Sequence, residues 1–509
     1  MDGPVLALEQ AAGFTRAVVY SRQGRPLAAA RDEIRCLSRG PGLSTYDPEE
    51  IWTSVLATAR MALIRARTDA GSLAAIGIAN QRDTFVLWER GTGRPVDEAI
   101  AADDRRAEAR TDALIAAGVS AVVPEHTGLR VDARFPAAKL AWLLDNVPGL
   151  RTRAEAGEIA FGTIDTFLLS RFTGGRVHAT DASNAARTML FDIRRQEWDQ
   201  ALLRIFDVPE AMLPRVFDSA TYFGAAKASL LGGSGVVSVH AMLTDATARF
   251  VGLGCLAPGS AAVIFDRGVG AFVNVGAKPI AADGMLTTLL FRREGTPAYA
   301  LEGTNDAAAD GIAWLDQGLD LAPTPAEFDR LAGTASPETR VRFVPPGLGR
   351  QAPYWSADHD GFVDGVTAST SRGDLASAAL ESVGLVGRDL IEAAGEDGEP
   401  TAPLRVDGRA AHSDRLLQFL ANITGRVVER GEETDRASLG AARMAGLAAG
   451  LWPDIGTLAS AWQAEHRFAP ALEAAERDRL YALWRQAIGR AFPPAGGRVS
   501  RAASGGPRG

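Results

Sequence analysis

Three acidic residues stand where a folded chain could use them for chemistry. Glu9 follows an apolar run that begins at Val5, and Asp266 follows another that ends at Phe265. Asp245 precedes an alanine-rich stretch and is also a suitable helix N-cap, and the two roles are compatible. Carboxylates in such positions can hold a divalent cation or take a proton from a hydroxyl group. Either use requires the elements that carry them to lie close together.

The elements around Glu9 and Asp266 resemble each other. After Glu9, a small-residue turn leads into a second apolar run at 17–20. After Asp266, the pair Arg267-Gly268 leads into the run 271–275. Each segment predicts a buried β-hairpin with an acid at the entrance of its tight turn. Two such hairpins, roughly 255 residues apart, suggest a duplicated α/β domain, although coincidence is the alternative because apolar–turn–apolar patterns are common.

Helix and strand signals alternate along the rest of the chain. Asp47 is a suitable N-cap ahead of Pro48, and apolar residues within 52–63 recur at helical spacing. Within 361–381, glycines near a strand edge precede a capped helix that is predicted to begin at Asp374. This alternation predicts an α/β fold with mixed layers.

Composition argues against several classes of protein. At 509 residues the chain is longer than one hydrophobic core usually supports, so two domains are expected. The net charge of −8 and the lack of a basic stripe argue against a nucleic-acid partner. No apolar run reaches the ~20 residues needed to span a bilayer, and the first residues lack the features of a signal peptide. Two cysteines, Cys36 and Cys255, favour a reducing compartment, and the scattered histidines do not predict a metal site. We therefore expect a cytoplasmic protein with no membrane partner.

The segment from Gly361 to Glu381 carries the most specific pattern in the chain. It reads Gly-x-Val-x-Gly-Val, then seven residues, then Asp-Leu-x-x-Ala-Ala-Leu-Glu. This pattern resembles the second signature of the FGGY carbohydrate kinases, and the whole chain is similar to their glycerol kinase branch. Similar segments run in a single order from about Val5 to Trp452, nearly nine tenths of the chain, and include 127–129, 139–145, 161–166, 184–190, 299–303, 352–355 and 404–408.

The resemblance implies a fold and a reaction. The fold is α/β, with two ribonuclease-H-like domains of the actin/hexokinase type and an active-site cleft between them. An acceptor-side domain would span residues 1–247 and a nucleotide-side domain 248–495, followed by a disordered tail at 496–509. ATP would be the phosphoryl donor, with Mg²⁺, and a small polyol or sugar the acceptor. The resemblance does not fix the oligomeric state, and a homo-oligomer is compatible with it.

The resemblance assigns the general base. In such kinases an aspartate takes the proton of the acceptor hydroxyl while the phosphoryl group moves in line. The family segment Gly-Asp-Gln-Gln-Ala-Ala-Leu-Phe-Gly is similar to residues 244–252, which read Thr-Asp-Ala-Thr-Ala-Arg-Phe-Val-Gly. Asp245 therefore stands at the base position, and Ala246 stands beside the acceptor where the family has glutamine.

The turns that bind the nucleotide in this family are altered. The residues that fall in them are Glu9, Gly13, Arg16, Asp266, Arg267, Gly268, Gly408, Arg409 and Ala410. The first turn reads Glu-Gln-Ala-Ala-Gly-Phe-Thr-Arg in place of Asp-Gln-Gly-Thr-Thr-Ser-Ser-Arg. Glu9 keeps a carboxylate that could hold Mg²⁺ weakly, through water, whereas hydroxyl donors and one glycine are lost. The second turn is Asp-Arg-Gly instead of Gly-Thr-Gly, and the third is Gly-Arg-Ala instead of Gly-Gly-Ala.

The acceptor positions also depart from the family. Arg82 is retained, and Asp83 replaces a glutamate that pairs with polyol hydroxyls. Arg134 replaces a tyrosine, Ala246 a glutamine, and Ala102 a tryptophan that packs the carbon chain. Because a site built for hydroxyl groups discriminates strongly against unmatched partners, we expect glycerol itself to bind poorly.

Two hypotheses account for the arginines gained at 134, 267 and 409. Either the pocket is enlarged and basic, for a larger or anionic acceptor such as a sugar acid, or Arg267 pairs with Glu9 and Asp245 and imitates a bound metal–nucleotide. Surface drift in an arginine-rich chain is a third explanation.

The sequence thus predicts an ATP-dependent phosphotransferase of the FGGY carbohydrate kinase family that is glycerol kinase-like. It would act on a hydroxyl of a polyol or sugar, including an acidic one. The alternative is a catalytically impaired glycerol kinase paralogue that serves as a small-molecule sensor or interaction partner.

Overall fold

The computed structural model describes residues 3–266, 268–322, 324–356, 359–432 and 435–492. Arg267 and the predicted tail at 496–509 lie outside the described residues. Within the described part of the chain, every helix is too short or too polar to cross a membrane.

The strands and helices alternate along the chain. The strands are β1 Val5–Gln10, β2 Phe14–Tyr20, β3 Pro26–Glu33, β4 Leu37–Gly40, β5 Leu43–Tyr46, β6 Ala75–Asn80, β7 Phe85–Glu89, β8 Ala99–Ile100, β9 Ile159–Thr163, β10 Ala179–Asp181, β11 Phe191–Asp192, β12 Glu197–Trp198, β13 Arg215–Phe217, β14 Ala220–Lys227, β15 Val236–Thr244, β16 Ala261–Phe265, β17 Val269–Gly276, β18 Leu286–Arg293, β19 Thr296–Asn305, β20 Arg342–Val344, β21 Phe362–Asp364, β22 Leu404–Asp407, β23 Val428–Gly431 and β24 Ala464–Phe468. The helices are α1 Pro48–Ala66, α2 Glu108–Ala116, α3 Val122–Thr127, α4 Pro136–Asn146, α5 Leu150–Glu155, α6 Ile164–Phe172, α7 Ala182–Ala185, α8 Gln200–Phe206, α9 Asp245–Gly252, α10 Ala307–Leu319, α11 Pro325–Ala332, α12 Arg372–Glu392, α13 Asp414–Thr424, α14 Arg436–Ala448, α15 Ile455–Ser460 and α16 Ala474–Ala491.

Two large sheets share one topology, which accounts for the repeated hairpin. The first has the order β14-β15-β6-β1-β2-β3, and the second has the order β18-β19-β17-β16-β22-β23-β24. In the first sheet, β1 pairs antiparallel with β2 and parallel with β6. In the second, β16 pairs antiparallel with β17 and parallel with β22. Both predicted hairpins are therefore confirmed, and each begins the equivalent part of its sheet.

The second signature forms a strand and a long helix, with one correction. Helix α12 begins at Arg372 rather than at Asp374, because Ser371 is the N-cap. The Ser371 hydroxyl accepts from the Asp374 backbone N–H, and the Asp374 carboxylate accepts from the Ser371 N–H at 2.8 Å. Asp374 is thus the third residue of a capping box rather than the start of the helix.

Helix α14 comes late in the chain but packs against the first sheet and against α9. The approach is close because glycines line it. A side-chain carbon at Gly440 would overlap the carbonyl oxygen of Ala248, and one at Gly77 of β6 would overlap that of Ala441. Glycine removes the Cβ atom that would hold these backbones apart. This close packing of α14 connects the end of the first sheet, through α9, to the segments beside the second sheet.

Candidate active site

The ends of three parallel strands place the first group of site residues. Asn80 at the end of β6 lies beside Gln10 of β1 on one side and Thr244 of β15 on the other. Because parallel strands end at the same edge of a sheet, the residues next to these ends meet there. Glu9, Arg82 and Asp245 are therefore brought to one edge of the first sheet.

Asp245 is the first residue of α9, and the N-cap role expected as its alternative belongs to Thr244. The Thr244 hydroxyl accepts from the Thr247 backbone N–H at 3.3 Å. The Asp245 Oδ1 atom accepts from the Ala246 backbone N–H at 2.8 Å. Burial raises the pKa of Asp245, while Arg82 and Arg249 act to lower it. A carboxylate whose pKa is raised in a cleft is a better proton acceptor than an ordinary aspartate.

The acceptor side contains a buried cluster of ion pairs. Arg82 pairs with Glu302, a residue of β19 in the second sheet. Arg187 donates from Nε and Nη2 to the Asp83 carboxylate at 3.1 and 3.2 Å, and from Nη1 to Glu302 at 2.9 Å. Burial acts to raise the pKa of Asp83, but the guanidinium groups of Arg187, Arg82 and Arg134 together outweigh it and hold the value below its usual range. Arg187 and Glu302 were missed in the sequence, although the similar segments 184–190 and 299–303 contain them.

Lys139 organises the backbone next to this cluster. Its buried ammonium group donates to the carbonyl oxygens of Ala101, Ala102 and Arg134 at 2.7, 3.2 and 2.8 Å. Burial lowers the pKa of Lys139 to about 7, although the Asp83 carboxylate opposes the change. The predicted acceptor residue Arg134 contributes to the electrostatics of Asp83, and its own guanidinium lies 4.0 Å from Asp132.

The predicted donor side is a cavity of about 480 Å³ between the two sheets. It brings together residues of all three predicted nucleotide turns, namely Glu9, Arg16, Asp266, Gly408 and Arg409. Of the other predicted residues, Gly13, Gly268 and Ala410 do not line it, and Arg267 is outside the described residues. Gly408 has a φ of 102°, and a side-chain carbon there would meet the carbonyl group of Phe265.

Glu9 has the properties expected of a weak cation ligand. Its Oε2 atom is buried and accepts no hydrogen bond from any described residue, and the Arg16 guanidinium stays 3.9 Å away. Burial raises the pKa of Glu9, and Arg16 opposes the rise. An oxygen left in this state is one that Mg²⁺ or its water shell could satisfy. The residues present therefore fit a water-mediated metal at Glu9.

Arg249 is a further functional candidate that the sequence analysis did not identify. It extends from α9 into the donor cavity, pairs with Asp266 and lies 3.3 Å from the Asp407 carboxylate. The signal was present in the segment 244–252, where this arginine stands at a family alanine. The hypothesis of an arginine that fills the cleft named Arg267, which lies outside the described residues. Arg249 is one of several described arginines that line the cavity, and its partners are Asp266 and Asp407 rather than Glu9 and Asp245.

One group of metal-type ligands forms away from the cleft, which histidine spacing did not predict. His126, Asp192 and Asp199 offer ligand atoms within 4.8 Å of one another. The His126 Nδ1 atom, however, lies 2.7 Å from Asp199, and Arg195 donates to Asp192 at 2.9 Å. The arginine supplies the positive charge, so the group is satisfied as a largely buried ion network.

Comparison with known proteins defines the class. The FGGY family of carbohydrate kinases matches the chain in two parts, its N-terminal domain at residues 5–252 and its C-terminal domain at 264–449. The chain belongs to the FGGY family of carbohydrate kinases.

Within that family the chain is glycerol kinase-like. A glycerol kinase of Ectopseudomonas mendocina is 41% identical over 493 residues, which cover 96% of this chain and 99% of that protein. A glycerol kinase of Aromatoleum aromaticum is 43% identical over 489 residues, covering 96% and 98%. The crystal structure of Plasmodium falciparum glycerol kinase with ADP has a TM-score of 0.91 at 26% identity, covering 96% of this chain and 98% of that one. The predicted family and two-domain α/β fold are confirmed, and the alternative of an impaired sensor receives no support.

Proposed function

We propose that this kinase transfers the terminal phosphoryl group of ATP to a hydroxyl of a small polyol or sugar, with Asp245 as the general base. The position of Asp245 carries the proposal. It interacts electrostatically with Arg82 and Asp83 on the acceptor side and with Glu9 and Arg249 on the donor side. A base between the two groups can take the hydroxyl proton while the oxygen attacks in line.

Each side of the cleft has a proposed task. Arg82 and Asp83, held by their buried ion pairs, would orient the acceptor hydroxyls. Glu9 would hold Mg²⁺ through water, and that ion would supply charge neutralisation for the donor phosphates. The cytoplasm is the proposed setting, supported by the free thiols of Cys36 and Cys255.

Production of ADP by the purified chain tests the reaction. We expect ADP release from MgATP that requires an acceptor, measured over a panel of glycerol, larger polyols and sugar acids. Asp245→Asn should lower the rate by about 10²-fold or more, because the base is lost while the shape is kept. Asp478→Asn, at an exposed acid of α16 that does not line the donor cavity, is the matched control and should retain the rate. Failure of every acceptor to stimulate ADP release, or an Asp245→Asn variant as fast as the control, would refute the proposal.

The class of acceptor has its own test. We propose a preference for a larger or anionic acceptor over glycerol, supported by Arg134 and by the loss of bulk at Ala102. Arg134→Tyr brings back the residue typical of the family and removes the cation. It should raise kcat/KM for glycerol relative to a sugar acid, and an unchanged ratio would show that Arg134 does not select the acceptor.

A further inference from the structure

The donor cavity contains an ion-paired group that no assigned role explains. The Arg249 guanidinium pairs with the Asp266 carboxylate through Nη1, and its Nε lies 3.3 Å from an Asp407 oxygen. We call these three residues the Arg249 bridge. Its side chains are only a quarter to a third exposed, so solvent screens the charges incompletely. Hydrogen bonds between ionised groups are the strongest polar contacts in proteins.

The Arg249 bridge spans the cavity from one sheet to the other. Arg249 belongs to α9, which follows the last strand of the first sheet. In the second sheet, Asp266 follows β16 and Asp407 ends the paired strand β22. All three residues line the donor cavity. Two of them, Arg249 and Asp266, stand where the similar family segments have alanine and glycine. The two residues that differ from the family therefore form one ion pair of opposite charges, which surface drift does not explain.

A second cation on the same wall is also engaged. Arg16 pairs with Asp435, the N-cap of α14, and lies 3.9 Å from Glu9. Polyphosphate entering the cavity would meet two arginines, Arg16 and Arg249, that already have carboxylate partners. It would also meet the Asp266 and Asp407 carboxylates, whose negative charge repels phosphate oxygens.

We infer that the Arg249 bridge is an internal lock on the donor site, which a nucleoside polyphosphate must open before it binds. The inference rests on the proposed function, since it concerns the donor of that reaction. Opening the bridge separates Arg249 from Asp266, and the phosphates must then replace the lost contacts. Nucleotide affinity is lowered by the cost of that separation.

Calorimetric titration with MgADP tests the lock. The double variant Arg249→Ala/Asp266→Gly removes both charges together, and we expect it to bind MgADP about tenfold more tightly than the unaltered chain, or better. Asp266→Asn leaves Arg249 paired with Asp407 and should give an intermediate affinity. This near-isosteric single variant also keeps the test decisive if the double variant does not fold.

An exposed ion pair outside the cavity gives a matched control. Arg479 pairs with Glu476 at 2.6 Å on α16, and neither residue lines the cavity. Because an exposed pair contributes little, Arg479→Ala/Glu476→Ala should change MgADP affinity by less than about twofold. A double variant at 249 and 266 that binds no more tightly than the unaltered chain would overturn the lock. Weaker binding would also overturn it and would show that Arg249 grips the phosphates directly.

The two proposals fail in different ways. Acceptor-dependent ADP release at micromolar ATP, together with unchanged affinity in the double variant, would refute the lock and uphold the kinase reaction. A double variant that gains MgADP binding, alongside an unaltered chain that phosphorylates no acceptor at saturating MgATP, would uphold the lock and refute the proposed reaction.

Discussion

Replacing Arg187 with methionine tests whether the buried acceptor-side cluster joins the two halves of the molecule. The Arg187 side chain is 3% exposed and donates three hydrogen bonds of 2.9 to 3.2 Å. Two of them reach Asp83, which follows β6 of the first sheet, and one reaches Glu302 in β19 of the second. A single side chain thus connects both sheets, and methionine preserves most of its volume.

The expected loss follows from these contacts. Hydrogen bonds to charged groups contribute roughly 1.5–3 kcal/mol each, so three would approach roughly 5–9 kcal/mol if they were additive. The true loss is smaller because Arg82 still pairs with Glu302 and because the abandoned Asp83 can take a proton. Removal of one partner from a buried ion pair typically costs about 3–5 kcal/mol. We expect that decrease in the free energy of unfolding for Arg187→Met.

Urea unfolding at pH 7, followed by tryptophan fluorescence, measures this loss. The matched control is Arg105→Met, which removes an arginine 3.3 Å from Asp132 at the surface and should cost less than about 1 kcal/mol. Equal unfolding midpoints for the two variants would refute the reasoning, since burial of the cluster would then have no energetic consequence.

The unaltered chain and Arg187→Met should also differ in how their free energy of unfolding depends on pH. Burial acts to raise the pKa values of Asp83 and Glu302, but Arg187 and Arg82 together outweigh it and lower both. Their stabilisation of the unaltered chain is therefore complete above the unfolded-state values near 4 and is lost as pH falls through the lower folded values. In Arg187→Met, burial is less opposed and the carboxyl groups protonate at higher pH. The stability difference between the two proteins should shrink between pH 7 and pH 4, and a constant difference would contradict the ion-pair account.

The parts of the fold that sequence predicted are those fixed by local patterns. The hairpins β1–β2 and β16–β17 follow from short apolar runs separated by tight turns, and their repetition suggested a duplicated α/β domain. The helix at 372–392 was predicted with the wrong first residue, because Ser371 and Asp374 are both good capping residues and only the hydrogen bonds distinguish N-cap from N3. The same ambiguity applied to Thr244 and Asp245.

The ion pairs of the cleft could not be predicted in the same way. Arg187 and Glu302 are 115 positions apart, and no periodicity links residues at such a distance. Arg249 and Asp266 are only 17 positions apart in the sequence. Arg249, however, belongs to a helix that follows the first sheet and Asp266 to a turn of the second, so they meet only when the cleft forms. The sequence showed that each turn was altered, whereas the pairing of the alterations required the coordinates.

Three further perturbations test the site and the packing that holds it. Because burial raises the pKa of Asp245, kcat/KM should fall on the acid side through a pKa above the usual aspartate value near 4, and Asp245→Asn should abolish that limb. Lys139→Met leaves three carbonyl groups without their donor, so it should raise KM for the acceptor and lower the urea midpoint. Gly440→Ala places a methyl group against the carbonyl oxygen of Ala248, where helices α14 and α9 touch. Because backbone atoms lie on both sides of this contact, no flexible side chain can move away from the added methyl group. We therefore expect the free energy of unfolding to fall by about 3 kcal/mol or more. Gly489→Ala in α16, where a side-chain carbon meets nothing within 4 Å, should instead stabilise the chain by about 0.5–1 kcal/mol. Equal effects at the two glycines would mean that helix propensity, rather than close approach, determines the outcome at Gly440.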